Sequence, residues 1–268
     1  MGLQINTNVS AINAYRNLTG TQGSMQTSLE RLSSGLRINR AADDAAGLAI
    51  SESLRTQVKG LNQAIQNAQD GISMVQTAEG ALNEVHAIYQ RQRQLAVQAA
   101  NGTNSTANLS QIQAEITQLD NEVSAIAQRT NFNGKALVTS GTAGTVTLQV
   151  GANATDTMVV TLAAVDTTTV TVTGAGAATN AITLLDAKID ALSTTRANLG
   201  AVQNRLNSTI NNLGVSSENL AASESRIRDT DMAKEMTNFS RSQILQQAGV
   251  SMLAQANQAP QSVLKLLG

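Results

Sequence analysis

The sequence predicts a mainly α protein, with a long antiparallel coiled-coil rod made from the N- and C-terminal segments and a small β-rich insertion in the middle. Three observations lead to this fold class. Apolar residues recur at heptad spacing in both end regions of the 268-residue chain, the repeat stops in between, and aromatic residues make up only 1%. A sustained 3.5-residue repeat indicates helices that pack along a seam. A thin bundle does not need the aromatic side chains that fill a thick core.

The first predicted element is a weak amphipathic helix within residues 1–35. Its apolar residues are Ile5, Val9, Ile12, Leu18, Met25, Leu29 and Leu32. Three glycines, at positions 20, 23 and 35, weaken its helical preference. Residues 33–42 lack the repeat and are predicted to form a non-helical spoke, so residues 1–42 are expected to be one segment.

Two longer helices are predicted to follow within residues 43–135. Asp43 and Asp44 suit the start of the first, because acids favour a helix N-terminus. This helix is expected to run from about residue 44 to 99 and to span roughly 80 Å. Its heptad residues are Leu54, Val58, Leu61, Ile65, Ala68, Ile72, Val75 and Leu82. Turn residues 101–105 end it, and a second helix is expected over about 106–129.

The middle segment, residues 136–180, is predicted to be β-rich and to face outward. An Asn133-Gly134 turn precedes it. Apolar residues then alternate with polar ones over 146–150, and 158–162 and 170–172 are further strand candidates. Between Ala136 and Leu185 the only charged residues are Asp156 and Asp166. With no heptads and few charges, this segment is expected to be dispensable for packing along the rod.

The last third returns to helix. The repeat comprises Ile182, Leu185, Ile189, Leu192, Leu199, Val202, Leu206, Ile210 and Leu213. Asn180 is a suitable cap, so a rod helix is predicted to run from there to about residue 223, within a segment of residues 181–228. A final helix is expected to begin at Asp229–Asp231, within residues 229–268, with an apolar stripe that includes Ile244, Leu245, Leu253, Leu264 and Leu267.

Charge and composition argue against several functional classes. The net charge is −1 and charged residues make up 14%, so we expect no nucleic-acid or membrane partner. The absence of cysteine excludes disulfides and thiolate metal sites. No apolar stretch is long enough to span a membrane. The first residues lack a basic region followed by an apolar run, so we expect no cleavable secretory signal.

No catalytic constellation is apparent. His86 is the only histidine, and no partner network for a general base surrounds it in the sequence. Asp43 and Asp44 are adjacent, so their side chains diverge on a helix. The common nucleotide-binding, metalloprotease and hydrolase motifs do not occur. The sequence therefore predicts a non-enzyme with no cofactor and no metal.

Two stretches identify a family. Leu29-Glu-Arg-Leu-Ser-Ser-Gly-Leu-Arg-Ile-Asn-Arg-Ala-Ala-Asp-Asp-Ala-Ala-Gly-Leu-Ala-Ile-Ser51 and Ser223-Glu-Ser-Arg-Ile-Arg-Asp-Thr-Asp-Met-Ala-Lys-Glu-Met236 resemble specific motifs of bacterial flagellin. The first residues, 3–14, and the tail, 255–267, are also similar to that family. The resemblance covers roughly residues 1–135 and 181–268.

The resemblance implies a structural subunit that polymerises into the flagellar filament for swimming motility. It implies export through the flagellar type III apparatus, and therefore a secreted protein in the extracellular filament. The implied partners are other copies of the chain, an export chaperone, the filament cap and the hook-junction proteins. One alternative stays open, in which the chain is a hook–filament junction protein or a similar flagellar adaptor.

Two sets of site residues follow from the resemblance. The polymerisation core is expected to include Ile5, Val9, Ile12, Ile244, Leu245, Leu253, Leu264 and Leu267. Flagellins of this type are also recognised by an animal Toll-like receptor, and Arg91, Leu95 and Glu115 match the recognition positions. This chain departs from the family pattern at Gln94, where an acid is usual, and at Tyr89, where an aliphatic residue is usual.

Overall fold

The computed structural model describes residues 7–267, with side chains at all of these positions except 175 and 259–267. The helices are α1 Val9–Ser34, α2 Ala45–Ala99, α3 Thr106–Arg129, α4 Ala175–Arg228 and α5 Met232–Leu267. The strands are β1 Asn131–Phe132, β2 Lys135–Ala136, β3 Val138–Ser140, β4 Thr145–Gln149, β5 Thr157–Thr161 and β6 Ala163–Val165. The predicted fold class, mainly helical with a small strand-containing middle, is confirmed.

The described residues form two compact units. The central unit is Gln57–Glu218, and the terminal unit comprises the residues up to Thr56 together with those from Asn219 onward. Each unit therefore combines residues from the N-terminal and the C-terminal half of the chain.

Within the central unit, α2 and α4 run antiparallel. Arg93 on α2 pairs with Asp186 on α4, Glu79 lies 3.8 Å from Arg196, and the Ser217 hydroxyl donates to the Asn62 side chain at 3.0 Å. As the residue number falls along α2, the number of its partner rises along α4. The antiparallel pairing of N- and C-terminal helices, predicted from the heptads, is confirmed.

The buried rows of these helices follow strict seven-residue spacing. On α4 the row consists of Leu185, Leu192, Leu199, Leu206 and Leu213. On α2 one row consists of Leu61, Ala68, Val75, Leu82, Tyr89 and Ala96, and a second consists of Ala64, Gly71, Ala78, Val85, Gln92 and Ala99. The sequence analysis found the first α2 row but placed the second at residues such as Val58, Ile65 and Ile72, which are only half-buried.

Small residues in the second α2 row leave space for a strand. A Cβ atom at Gly71 would lie 2.4 Å from Leu148 Cδ1 on β4 and 3.5 Å from Leu206 Cδ1. Leu148 therefore occupies the volume that a side chain at position 71 would take. Small residues contribute little to an apolar pattern, so the sequence analysis assigned this buried row to larger neighbouring residues.

The middle segment forms three two-stranded pairings. β4 and β5 are antiparallel, β3 and β6 are parallel, and β1 and β2 flank the predicted Asn133-Gly134 turn, whose φ angles are 48° and 78°. The strands predicted near 146–150 and 158–162 are confirmed. The predicted helix start after Asn180 is wrong, because α4 already begins at Ala175, and its end lies at Arg228 rather than near 223.

The predicted strand at Val170–Val172 is also wrong. The segment 166–172, which we call the strap, is held by side chains of α3. Asp120 accepts from the Val170 amide at 3.0 Å and Gln113 accepts from the Val172 amide at 2.7 Å. The apolar residues Leu162, Ala163, Val165, Val170 and Val172 all belong to the core of the central unit.

In the terminal unit, α1 packs against α5. The turn after α1 meets the turn before α5: the Thr230 amide donates to Gly35 O at 2.9 Å, and the Arg37 amide donates to Arg228 O at 2.6 Å. Gly35 has φ of 73°, which favours glycine. Two of the acids predicted to begin helices cap them: Asp44 accepts from the Gly47 amide, and Asp231 accepts from the Ala233 and Lys234 amides. Asp43 instead accepts from the Asn39 and Arg40 amides of the preceding turn.

Candidate assembly and recognition surfaces

Large apolar side chains are exposed along both helices of the terminal unit. On α1 and α5 they are Val9, Ile12, Tyr15, Leu29, Met232, Met236, Ile244, Leu245, Val250 and Met252. Ile244 is 66% exposed. Scattered single apolar residues are normal on a protein surface, whereas a concentration on one helix pair indicates an interaction site.

The helix pair has almost no apolar core of its own. The only buried residue of α1 is Ser28, and the only buried side chain described on α5 is Glu235. The contacts that do join the helices are polar or partly exposed: Asn8 Nδ2 donates to Ala256 O at 2.8 Å, and Leu18 lies against Gly249. The apolar stripes are therefore only partly covered within the chain.

The predicted polymerisation residues fall largely on this surface. Val9, Ile12, Ile244 and Leu245 are exposed, and Leu253 is half-buried. Ile5 lies outside the described residues, as do the side chains of Leu264 and Leu267. A cavity of about 380 Å³ between the helices is lined mostly by apolar groups, including those of Ala14, Leu18, Leu245 and Met252.

Of the three predicted receptor-recognition residues, two lie together. Arg91 on α2 donates from Nε at 2.9 Å and from Nη2 at 2.7 Å to Oε1 of Glu115 on α3. Both side chains are about half exposed. Leu95 is only 2% exposed and belongs to the core of the central unit. Residues four apart on a helix are offset by about 40° around its axis. Arg91 therefore lies at the surface, whereas Leu95 faces the seam.

The central unit also contains a buried polar network at Tyr89 and Lys188, which sequence reasoning missed. The Tyr89 hydroxyl donates to Asp166 O at 2.8 Å, while Lys188 Nζ donates to Thr168 O at 2.6 Å and Asp166 O at 3.2 Å. Lys188 Nζ also lies 5.6 Å from the centre of the Tyr89 ring, a cation–π distance. Tyr89 falls in the first buried row of α2, but a heptad pattern does not show that its hydroxyl has a partner or that Lys188 is buried beside it.

Burial shifts the titration of both buried groups. Burial raises the pKa of Tyr89 above its usual range, and the carboxylates of Asp166 and Asp120 add to that effect. Burial lowers the pKa of Lys188, although Asp166 and Asp120 oppose the change. The two side chains line a cavity of about 400 Å³, but their polar atoms are bound to backbone carbonyls of the strap. Their observed contacts therefore anchor the strap to α2 and α4.

The residues that the structure describes contain no cluster of three metal-ligating side chains placed to hold an ion. Among those same residues, no helix has the length and apolar character needed to cross a membrane. His86 is half-buried, and its Nε2 lies 2.9 Å from Gln90 Nε2.

Comparisons with known proteins show the family to which the two helical end regions belong. The profile of the bacterial flagellin N-terminal helical region matches residues 5–143, and that of the C-terminal helical region matches residues 182–267. A flagellin from Halalkalibacterium halodurans is 52% identical over 270 residues, which cover 98% of this chain and 99% of that protein. A flagellin from Bacillus subtilis is 48% identical over 303 residues, covering 99% and 100%.

A solved structure of Bacillus cereus flagellin aligns with a TM-score of 0.47 and 32% identity, covering 59% of this chain and 94% of that one. The family assignment depends on the two profiles, which together match more than half of the chain, and on the two full-length relatives. The chain belongs to the bacterial flagellin family.

Proposed function

We propose that this chain is the structural subunit of a bacterial flagellar filament, and that it polymerises through the exposed apolar surface of α1 and α5. The observation that carries this proposal is the near absence of buried apolar side chains between the two helices, although both helices carry many exposed ones. Neighbouring copies would remove these side chains from water. Each Å² of buried apolar area stabilises an assembly by about 25 cal/mol.

The relatives support a filament subunit over the alternative of a hook–filament junction protein. Both full-length relatives compared above are named flagellin. A flagellin is a structural protein, which agrees with the lack of a catalytic constellation. We therefore infer a protein whose activity is assembly.

We infer that the subunit is exported through the flagellar apparatus and meets an export chaperone, the filament cap and the hook-junction proteins. Membership of the flagellin family supports these steps. A helix pair with little core of its own also suits them, because it costs little free energy to unfold before export.

We infer that an animal Toll-like receptor recognises the central unit through Arg91 and Glu115. Support comes from their exposed position and from the double hydrogen bond that fixes both side chains. Leu95 lies below this pair in the core, so its role is to support α2 rather than to present a free side chain to the receptor.

Elongation of short filament seeds by purified subunits tests the proposed assembly. Ile244→Asp places a charge on an exposed apolar position of α5 and should abolish elongation. Val159→Asp is the matched control, because Val159 is similarly exposed, at 55%, but lies on β5 in the central unit. We expect the control to elongate seeds as the parent does. Normal elongation by Ile244→Asp, or failure of the parent, would contradict the proposal.

A further inference from the structure

A polar groove lies between α1 and α5, on the same helix pair as the exposed apolar surface. Its volume is about 520 Å³, and its lining includes Ser24, Thr27 and Arg31 from α1 and Glu235, Asn238 and Arg241 from α5. Neither guanidinium forms an ion pair with Glu235 within 4.0 Å in the described part of the chain. The groove therefore presents charges of both signs that are not bound to each other.

Glu235 is the most unusual member of the groove. It is 7% exposed, and among the described residues its carboxylate has no hydrogen bond or ion pair. Its position in the first turn of α5 gives it a favourable interaction with the helix dipole. That interaction does not supply hydrogen-bond donors to the carboxylate oxygens. These oxygens are not among the buried atoms without a partner and face the open groove, so they need donors once a neighbouring subunit covers the groove.

On the opposite wall of the groove, a donor is already buried without a partner. Arg31 Nε is buried and has no hydrogen-bond partner. A buried donor without an acceptor destabilises the structure, as does a buried acceptor without a donor. A group that completes the groove must therefore both donate to Glu235 and accept from Arg31.

We propose that the polar groove receives an asparagine or glutamine side chain from a second copy of this chain during filament assembly. A side-chain amide offers two N–H donors and one carbonyl acceptor, so it can donate to the Glu235 carboxylate and accept from Arg31 Nε. This inference rests on the proposed function, since it assigns one feature of the assembly surface to a specific contact.

The composition of α1 and α5 supports an amide over a charged group. Outside the groove, the charged residues described on these helices are Arg16, Glu30 and Lys234, and Glu30 is already paired with Arg40 at 3.0 Å. Exposed amides are abundant on the same helices: Asn13, Asn17, Gln22, Gln26, Gln243 and Gln247.

Such a contact determines how neighbouring copies align. Apolar stripes tolerate sliding of one helix along another, whereas a buried polar pair is satisfied at one position only. A single polar residue in a coiled-coil seam specifies register in the same way. The groove thus selects one longitudinal offset between adjacent subunits.

The first test locates the occupant directly. The chain contains no cysteine, so Ser24→Cys allows a benzophenone photo-crosslinker to be attached at the groove. In seeded filaments, we expect cross-links to an amide-containing peptide of α1 or α5 from another copy. A mixture of isotopically labelled and unlabelled subunits identifies intermolecular products by mass spectrometry. Thr19→Cys, at an exposed site outside the groove lining, should give a different set of peptides.

The second test measures the contribution of the carboxylate. Glu235→Gln keeps the shape of the side chain and removes its charge, so the charge-assisted hydrogen bond in the filament is lost. We expect the critical concentration for seed elongation to rise by about tenfold. Glu84→Gln, an exposed change on α2 of the central unit, should leave it unchanged.

The outcomes separate this inference from the proposed function. If the parent chain does not elongate seeds, the proposed function fails. If the parent elongates seeds but Ser24→Cys yields no intermolecular cross-link, or yields cross-links to the central unit alone, the groove inference is wrong. An unchanged critical concentration for Glu235→Gln also overturns it.

Discussion

Arg91 and Glu115, 24 residues apart on α2 and α3, are joined by two hydrogen bonds to a single carboxylate oxygen. Both side chains of the pair are about half exposed. The same two helices are also joined by a buried polar contact, in which Gln92 Nε2 donates to Asp120 Oδ1 at 2.9 Å. Asp120 in turn holds the strap through the Val170 amide. The proposed recognition surface and the anchoring of the middle segment therefore share the α2–α3 pairing.

Receptor recognition should depend chiefly on Arg91. Arg91→Ala removes the guanidinium and leaves the helix intact, so we expect signalling by the monomer to fall by about tenfold or more, as for a buried arginine contact. A reporter-cell assay measures the change. Arg129→Ala is the control, because Arg129 forms a similar exposed ion pair with Glu122 on α3 outside the predicted positions. Equal signalling by Arg91→Ala and the parent would exclude this residue as the centre of recognition.

The close approach at Gly71 should make that position intolerant of alanine. Leu148 must move to make room for a methyl group, so Gly71→Ala should destabilise the central unit by about 1–3 kcal/mol. Gly80 is also within α2, and a Cβ there meets nothing within 4 Å. Gly80→Ala should therefore stabilise the protein by about 0.5–1 kcal/mol. Urea unfolding measures both, and a stabilising Gly71→Ala would show that Leu148 does not fill this space.

These two glycines show how far the sequence could predict the fold. The bounds of α2 and α3 follow from heptads and turn residues, and the buried row of Leu61, Ala68, Val75 and Leu82 was placed correctly. The row that includes Gly71 could not be found, because small residues leave no apolar periodicity. The strap could not be found either. Its backbone amides donate to the side chains of Asp120 and Gln113, and an alternating sequence pattern does not reveal such hydrogen bonds.

The middle segment should be dispensable only at its tip. The turn at residues 152–155 lies outside the apolar core, and replacing it with a shorter turn should leave both folding and seed elongation intact. Deleting the strap removes Val170 and Val172 from the core and leaves Asp120, Tyr89 and Lys188 without their backbone partners. We expect that deletion to unfold the central unit, as measured by circular dichroism. A folded, polymerising strap deletion would support the original expectation that the whole middle is dispensable.

Tyr89 should make the central unit sensitive to alkaline pH. Its folded-state pKa is raised by burial, so above the unfolded-state value of about 10 the unfolded chain loses a proton that the folded chain keeps. Stability from this group is therefore complete below about pH 10 and declines as pH rises further. Lys188 acts in the opposite sense, because its folded pKa is lowered and stability rises with pH until the unfolded lysine also deprotonates.

The two tyrosines of the chain allow this to be measured optically. Tyr15→Phe leaves Tyr89 as the only tyrosine, and Tyr89 should form tyrosinate only when the protein unfolds, because burial raises its pKa. In the Tyr15→Phe protein, the rise in near-ultraviolet tyrosinate absorbance should therefore coincide with unfolding, and Tyr89→Phe should remove it. Tyrosinate formation by the Tyr15→Phe protein while it remains folded would contradict the buried state of Tyr89.

The pairing of α1 and α5 should be marginal until neighbouring subunits cover it. Ser28 is the only buried residue of α1, and Glu235 is the only buried side chain described on α5, so the pair lacks the apolar burial that offsets the entropy of ordering a helix. We predict that both ends are largely disordered in the monomer and become ordered on assembly.

Hydrogen exchange should show little protection at residues 9–18 and 244–253 in monomer and strong protection in filaments. Residues 74–89, in the core of the central unit, should be protected in both. Removing residues 233–268 should give a soluble monomer that unfolds cooperatively on heating and does not elongate seeds. Slow exchange at residues 244–253 in a verified monomer would mean that the helix pair is stable before assembly, and the coupling between ordering and polymerisation would then be wrong.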